Sequence, residues 1–142
     1  MAVIQRLGKP IGKSSGGTSS PLSVQYYRSQ HSLESLKQNM LGALSLFTNK
    51  VSVGNYTFEG EGIYNLLLSG NFFVLPEDIK AAFIRTLNAI DAISLPLWQA
   101  VDQESDLTQS LYDEFVELRR LVKVDLASVL NETVHFNDSD GD

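Results

Sequence analysis

LTQSLYDEFVELRRLVKVDLASVLN, residues 107–131, is the stretch on which the fold class turns. Leu107, Leu111, Phe115, Leu118, Val122 and Val129 recur at helical spacing and form one apolar stripe, while Asp113, Glu114, Glu117, Arg119, Arg120 and Lys123 fall mostly elsewhere. Its acids come early and its bases later, the order that the helix dipole favours. The pattern predicts one long amphipathic helix, which has to bury its stripe against partners of the same kind.

Such partners lie upstream. Ser94-Leu95-Pro96 interrupts the chain and opens a short segment through Trp98 and Val101. Pro76 followed by Glu77 and Asp78 is a helix start, and Ile79, Ala82, Phe83, Ile90 and Ile93 give that helix its apolar face. Ile63 to Ser69 reads as a short apolar helix stopped by Gly70-Asn71. Ser32 is the expected N-cap of a helix to about Lys50, with Leu33, Leu36, Met40, Ala43, Leu44 and Phe47 on one stripe. Between these helices, Val51 to Phe58 alternates around Gly54-Asn55, as a tight hairpin or an extended loop would. There is no internal repeat.

The ends differ from the middle. Up to Leu33 the chain carries Arg6, Lys9, Lys13 and Arg28 without an acid, a charge of +4, and the remainder carries −10. Residues 8–21 are rich in Gly, Ser and Pro, which disfavours a lasting helix and offers little apolar surface. The expected architecture is all-α: a domain of four to five helices over residues 31–134, an extended basic N-terminal arm over residues 1–30, and a short acidic tail over residues 135–142.

With 142 residues, 43% of them hydrophobic and 20% charged, the chain suits one domain of ordinary size. No apolar run is long enough to span a bilayer. The absence of cysteine excludes disulfide scaffolds, thiol nucleophiles, iron–sulfur clusters and thiolate zinc sites. His31 and His135 alone do not make a metal site, and no metal or cofactor is expected.

Motifs that could carry chemistry fall short of their requirements. Gly8-Lys9-Pro10-Ile11-Gly12-Lys13-Ser14 resembles a phosphate-binding loop, but has three residues between its glycines instead of four and lacks a preceding buried strand. Asp138-Ser139-Asp140-Gly141-Asp142 has the opening of a calcium loop without the acid that completes it. Glu59 and Glu61 have no histidine or aromatic platform beside them, and Ser69 has only the trailing glycine of a nucleophile elbow. No catalytic residue is assigned, and neither an enzyme nor a small-molecule substrate is expected. Three glycosylation sequons, at Asn55, Asn131 and Asn137, have no apolar leader before them and are read as unmodified. A mitochondrial presequence is disfavoured by Gly8, Pro10 and Gly12. The expected location is the cytoplasm or a virion.

Four scattered cations do not form a nucleic-acid stripe, and an acidic body works against one, so proteins are the expected partners. The expected function is a non-enzymatic assembly subunit of a larger particle, such as a virion decoration, neck or tail component, whose arm engages neighbouring copies. In that reading Arg6, Lys9, Lys13 and Arg28 meet acidic neighbours, Val3, Ile4, Leu7 and Ile11 are shallow anchors, and Tyr26 and Tyr27 fix the arm to the body. Phe72 and Phe73 belong to an apolar excess that suits a subunit interface. The alternative is a monomeric regulator or inhibitor that docks a basic partner through an acidic helical face.

Overall fold

The computed structural model describes residues 7–26 and 28–130. Val3, Ile4, Arg6, Tyr27 and the acidic tail lie outside these residues. The chain is mostly helical: α1 (Ser32–Thr48), α2 (Ile63–Ser69), α3 (Val74–Ala92), α4 (Leu97–Gln103) and α5 (Ser105–Arg120), with the strands β1 (Lys50–Val53) and β2 (Tyr56–Glu59) between α1 and α2. Helix α3 is the central member, packed along α5 on one side and α1 on the other. Its buried residues Ile79, Ala82, Phe83 and Ile90 stand at three- and four-residue spacing, as the sequence predicts.

Two apolar clusters fill the body. Towards one end, Ile90, Ile93, Leu97, Ala100, Val101, Leu111 and Phe115 pack with Leu7 and Val24. Towards the other, Phe47, Leu67, Ile79, Phe83, Leu118, Leu121 and Leu126 pack together, and Met40 touches both clusters.

Three boundaries depart from the sequence reading for local reasons. Helix α3 begins at Val74, so Pro76 is its third residue, where its missing N–H belongs to the donors a first turn leaves unpaired. Ser32 is the first residue of α1 and not its cap; its hydroxyl donates to the Gln25 carbonyl, tying the helix to the N-terminal segment. The last helix runs on from Arg120 through a π-helical segment, Leu121–Leu126, to a final turn, Ala127–Val129. Its wider winding changes the stripe: Leu121 and Leu126 are buried while Val122 and Val129 are half-buried. Leu107, near the start of α5, is exposed. The same winding brings Arg120 to Asp125, five residues on, at 2.6 Å, while Arg120 also holds Glu117.

Residues 7–26 fold against the body where the sequence predicts an extended arm over residues 1–30. Leu7 is only 2% exposed, and Ile11 packs beside it on the same cluster. The Gly/Ser stretch makes this possible: Gly12, Gly16 and Gly17 take positive φ of 87°, 66° and 90°, and the Gly17 amide donates to the Gly12 carbonyl at 2.9 Å. The Pro10 carbonyl accepts from Ser20 N–H at 2.7 Å, and the Ser19 hydroxyl donates to Asp102 at 2.8 Å. Composition disfavours a lasting helix here but does not reveal a compact turn held by the buried side chains of Leu7 and Pro10.

Glu104 joins α4 to α5. Its carboxylate accepts from the Ser94 hydroxyl and from the Ser94 and Leu95 amides at 3.1 and 3.3 Å. The Ser94 hydroxyl contact is the main reason its pKa lies below the usual carboxylate value; desolvation opposes it, and the Leu95 and Ser94 amides add to the lowering. A carboxylate ionised more readily in the folded than in the unfolded chain stabilises the fold above its unfolded pKa, and that contribution is lost as pH falls through the folded one. Glu104→Gln should therefore be less stable than the natural chain at neutral pH, and the gap should close as urea unfolding is repeated towards acid. A gap that stays constant with pH would show that charge at Glu104 is not what holds the 94–95 turn.

Candidate interaction surface

In the loop that resembles a phosphate cradle, the amides of Ile11, Gly12, Lys13 and Ser14 donate to the chain's own carbonyls at Leu7, Lys9 and Gly8, and so do not point outward at a ligand. Among the described residues there is no group of three or more His, Asp or Glu that could hold a metal ion. Glu59 is ion-paired with Lys50 across the hairpin, while Glu61 follows the strand and its carbonyl accepts from Asn49. None of the described helices is long and apolar enough to cross a membrane.

What the fold does build is a surface, and its foundation is Asn49. This residue ends α1 in the left-handed conformation, φ 49°. Its carbonyl accepts from Gly60 N–H at 2.9 Å and its side-chain amide donates to the Glu61 carbonyl at 3.1 Å, clamping the foot of the hairpin to the helix end. Gly62 lets the chain pass: a Cβ there would stand 2.7 Å from the Phe47 carbonyl oxygen and 2.8 Å from the Asn49 amide nitrogen. At the tip, Gly54 has φ 59° and Asn55 does not have a positive φ, the signature of a two-residue type II′ turn.

The strand register sorts the hairpin into two faces. Val51 opposes Phe58 and Val53 opposes Tyr56, while Lys50 opposes Glu59 and Ser52 opposes Thr57. Opposed residues share a face and alternate along each strand, so Val51, Val53, Tyr56 and Phe58 form one wholly apolar face. The other face carries the Lys50–Glu59 ion pair and a Ser52–Thr57 hydroxyl contact at 3.1 Å. A two-stranded sheet with one apolar face normally lays it on a core. Here it does not: exposure is 62% at Val53, 74% at Tyr56 and 65% at Phe58, and Val51 is exposed as well.

Neighbouring helices extend this uncovered end. Leu46 on α1 is 79% exposed, and with Ile63 and Leu66 of α2 it lines an open groove of about 460 Å³. Leu41, Val51, Lys80 and Ile84 line another groove of about 600 Å³ between β1, α1 and α3. Tyr64 anchors the region from beneath, edge-on to Phe47 at 6.1 Å, with Lys80 over its ring at 5.2 Å and its hydroxyl donating to Glu77. That hydrogen bond to a carboxylate is the main reason the Tyr64 pKa is raised.

The site residues expected from sequence fall on different parts of this structure. Phe72 and Phe73 are exposed beside α2, with Val74 following. Tyr26 is exposed with φ 59°, and Lys9, Lys13 and Arg28 are on the surface. Leu7 and Ile11, expected as anchors for a neighbour, belong to this chain's own core. Val51, Val53, Tyr56, Phe58 and Leu46 were not singled out from sequence. The signal for the first four was present in the alternation about Gly54-Asn55, but alternation alone does not say whether an apolar face is covered.

No protein-family model, curated protein or solved structure matches this chain.

Proposed function

We propose that the chain is a non-enzymatic assembly subunit of a larger multi-subunit particle, meeting its neighbours through the hairpin end of the body. The observation that carries this reading is the amphipathic hairpin whose apolar face lies in water. Leaving such a face uncovered works against the hydrophobic effect, and large exposed apolar patches on folded proteins mark contact sites. Residues 41–76 carry only three charges, Lys50, Glu59 and Glu61, and the first two pair with each other. An interface depleted of charge at its centre has this composition. A virion shell or tail is one setting for such a subunit. Lys9 and Lys13, on the surface of the folded N-terminal segment, supply a weaker, charge-assisted contact to acidic neighbours.

Light scattering on the full chain across a concentration series tests the reading. The expected result is a discrete oligomer whose population rises with concentration and does not fall as salt is raised, because apolar burial is not screened. Dissociation by moderate salt would move the contact to the basic N-terminal segment. A monomer at every concentration would instead favour a docking module that meets a basic partner through its acidic helices.

A further inference from the structure

We propose that the end of the last helix is a two-register element, locked by Asp125 in the π-helical winding seen here and, without that lock, continuing α5 as a plain α-helix. Ala127 faces inward in the first register and outward in the second.

Both registers are counted from Leu118, which is buried in the cluster with Phe47, Leu67 and Phe83. Each α-helical residue turns the chain by ~100°, so a plain helix returns to the core face at Asp125 and Val129, each within about 20° of Leu118. In that register Leu126 lies ~80° to one side and Ala127 about 180° away, in water. The π segment Leu121–Leu126 carries the extra residue of a wider turn, and everything beyond it is set back by about one residue. Leu126 then takes the place of Asp125. Burial follows this count: Leu126 and Ala127 are 7% and 6% exposed, while Asp125 and Val129 are half-buried and Val124 is exposed.

The lock has an electrostatic part and an apolar part. Arg120 holds Asp125 at 2.6 Å. Residues five apart diverge by ~140° on an α-helix, so this pair belongs to the π register alone. The α register would in exchange bury Val129, which already packs against the cluster, and restore the commoner winding. What it lacks is a place for the Asp125 carboxylate, which would enter a cluster of apolar side chains that cannot pair with it. Removing that charge therefore releases the helix. The same cluster backs the hairpin end, since Phe47 stands two residues before Asn49 and Leu67 lies in α2. The register thus governs what supports the exposed apolar face, whether or not that face meets a neighbouring copy.

Because the natural chain has no cysteine, a single introduced thiol reports on one position only. Ala127→Cys and Val129→Cys leave Arg120, Asp125 and Leu126 in place. Adding Asp125→Leu should speed labelling of Ala127→Cys by a soluble disulfide reagent on the order of tenfold and slow that of Val129→Cys, because the two positions exchange exposure. Opposite movement separates a change of register from general loosening, which would speed both. Unchanged rates, or a rise at both positions, would overturn the two registers. A second variant does not depend on the introduced leucine. Deleting Val124, which is 58% exposed, removes the surplus residue, so that a plain α-helix seats Leu126 where it now lies. In that chain Ala127→Cys should label as slowly as in the natural background, and fast labelling there would overturn the proposal as well.

Discussion

A chain lacking residues 1–20 is expected to be less stable than the full chain by about 2–4 kcal/mol, a fall in thermal midpoint of roughly 10 °C. The expectation comes from Leu7, which is 2% exposed and sits among Val24, Ile93, Leu97 and Leu111. Removing it uncovers those neighbours as well as losing its own burial. Leu7→Ala should come close to the same value without exceeding it, because a segment that loses its one buried leucine can undock, and undocking caps the cost. Lys9→Ala and Lys13→Ala, on the surface of the same segment, should each stay within about 0.5 kcal/mol of the natural chain. Urea unfolding of the four variants separates the outcomes. If truncation leaves stability unchanged while Leu7→Ala lowers it, Leu7 acts elsewhere than in the cluster described.

Why the N-terminal fold was hidden in the sequence while the helices were plain follows from how each is specified. Helix α3 repeats its message: Ile79, Ala82, Phe83 and Ile90 each report the same face, and Ile63 to Ser69 is closed by Gly70-Asn71 at the boundary observed. The segment before α1 has no period to repeat. Its position depends on one leucine, on glycines with positive φ at 12, 16 and 17, and on long-range bonds such as Ser19 to Asp102. Those terms exist only once the body is folded. The end of α5 fails for another reason. A π-helical segment advances the chain by more residues per turn, so extrapolating a regular stripe from Leu118 selects Val122, whereas the fold buries Leu121 and Leu126.

The candidate surface was half legible. Phe72 and Phe73 stand out in any reading because two phenylalanines next to a helix breaker exceed what a short helix can bury, and both are exposed. The hairpin face was written in the alternation from Val51 to Phe58, yet the same alternation describes a sheet laid on a core. What decides between them is three-dimensional: Asn49 and Gly62 fix the hairpin foot at the end of α1, and the body behind it does not reach the apolar face. Leu46 was hidden by the opposite problem. It lies beside stripe residues of α1, in a run where apolar residues occupy more than one face.

Replacing Tyr56 with Ser and Phe58 with Asp together is expected to abolish the self-association proposed for the hairpin end, weakening it by on the order of a thousandfold. In a contact between copies both partners carry the substitutions, and aromatic residues at a buried centre are where binding energy concentrates. Phe58→Asp does further damage by placing a carboxylate within the apolar contact, a desolvation cost with no cation to offset it. The monomer should be little affected, because Tyr56 and Phe58 are largely in water already and their loss removes few internal contacts. Leu22→Asp is the matched control: Leu22 is 69% exposed and lies beside Val24, which belongs to the other apolar cluster, so it should leave both mass and stability unchanged. Native mass and thermal midpoint of the three proteins then distinguish a docking face from a structural one. Loss of the oligomer with an unchanged midpoint identifies the hairpin as the contact. Loss of the midpoint as well would make the hairpin part of the fold's own support, and an oligomer that survives would place the contact elsewhere, with Phe73 and Val74 the next exposed apolar pair to replace.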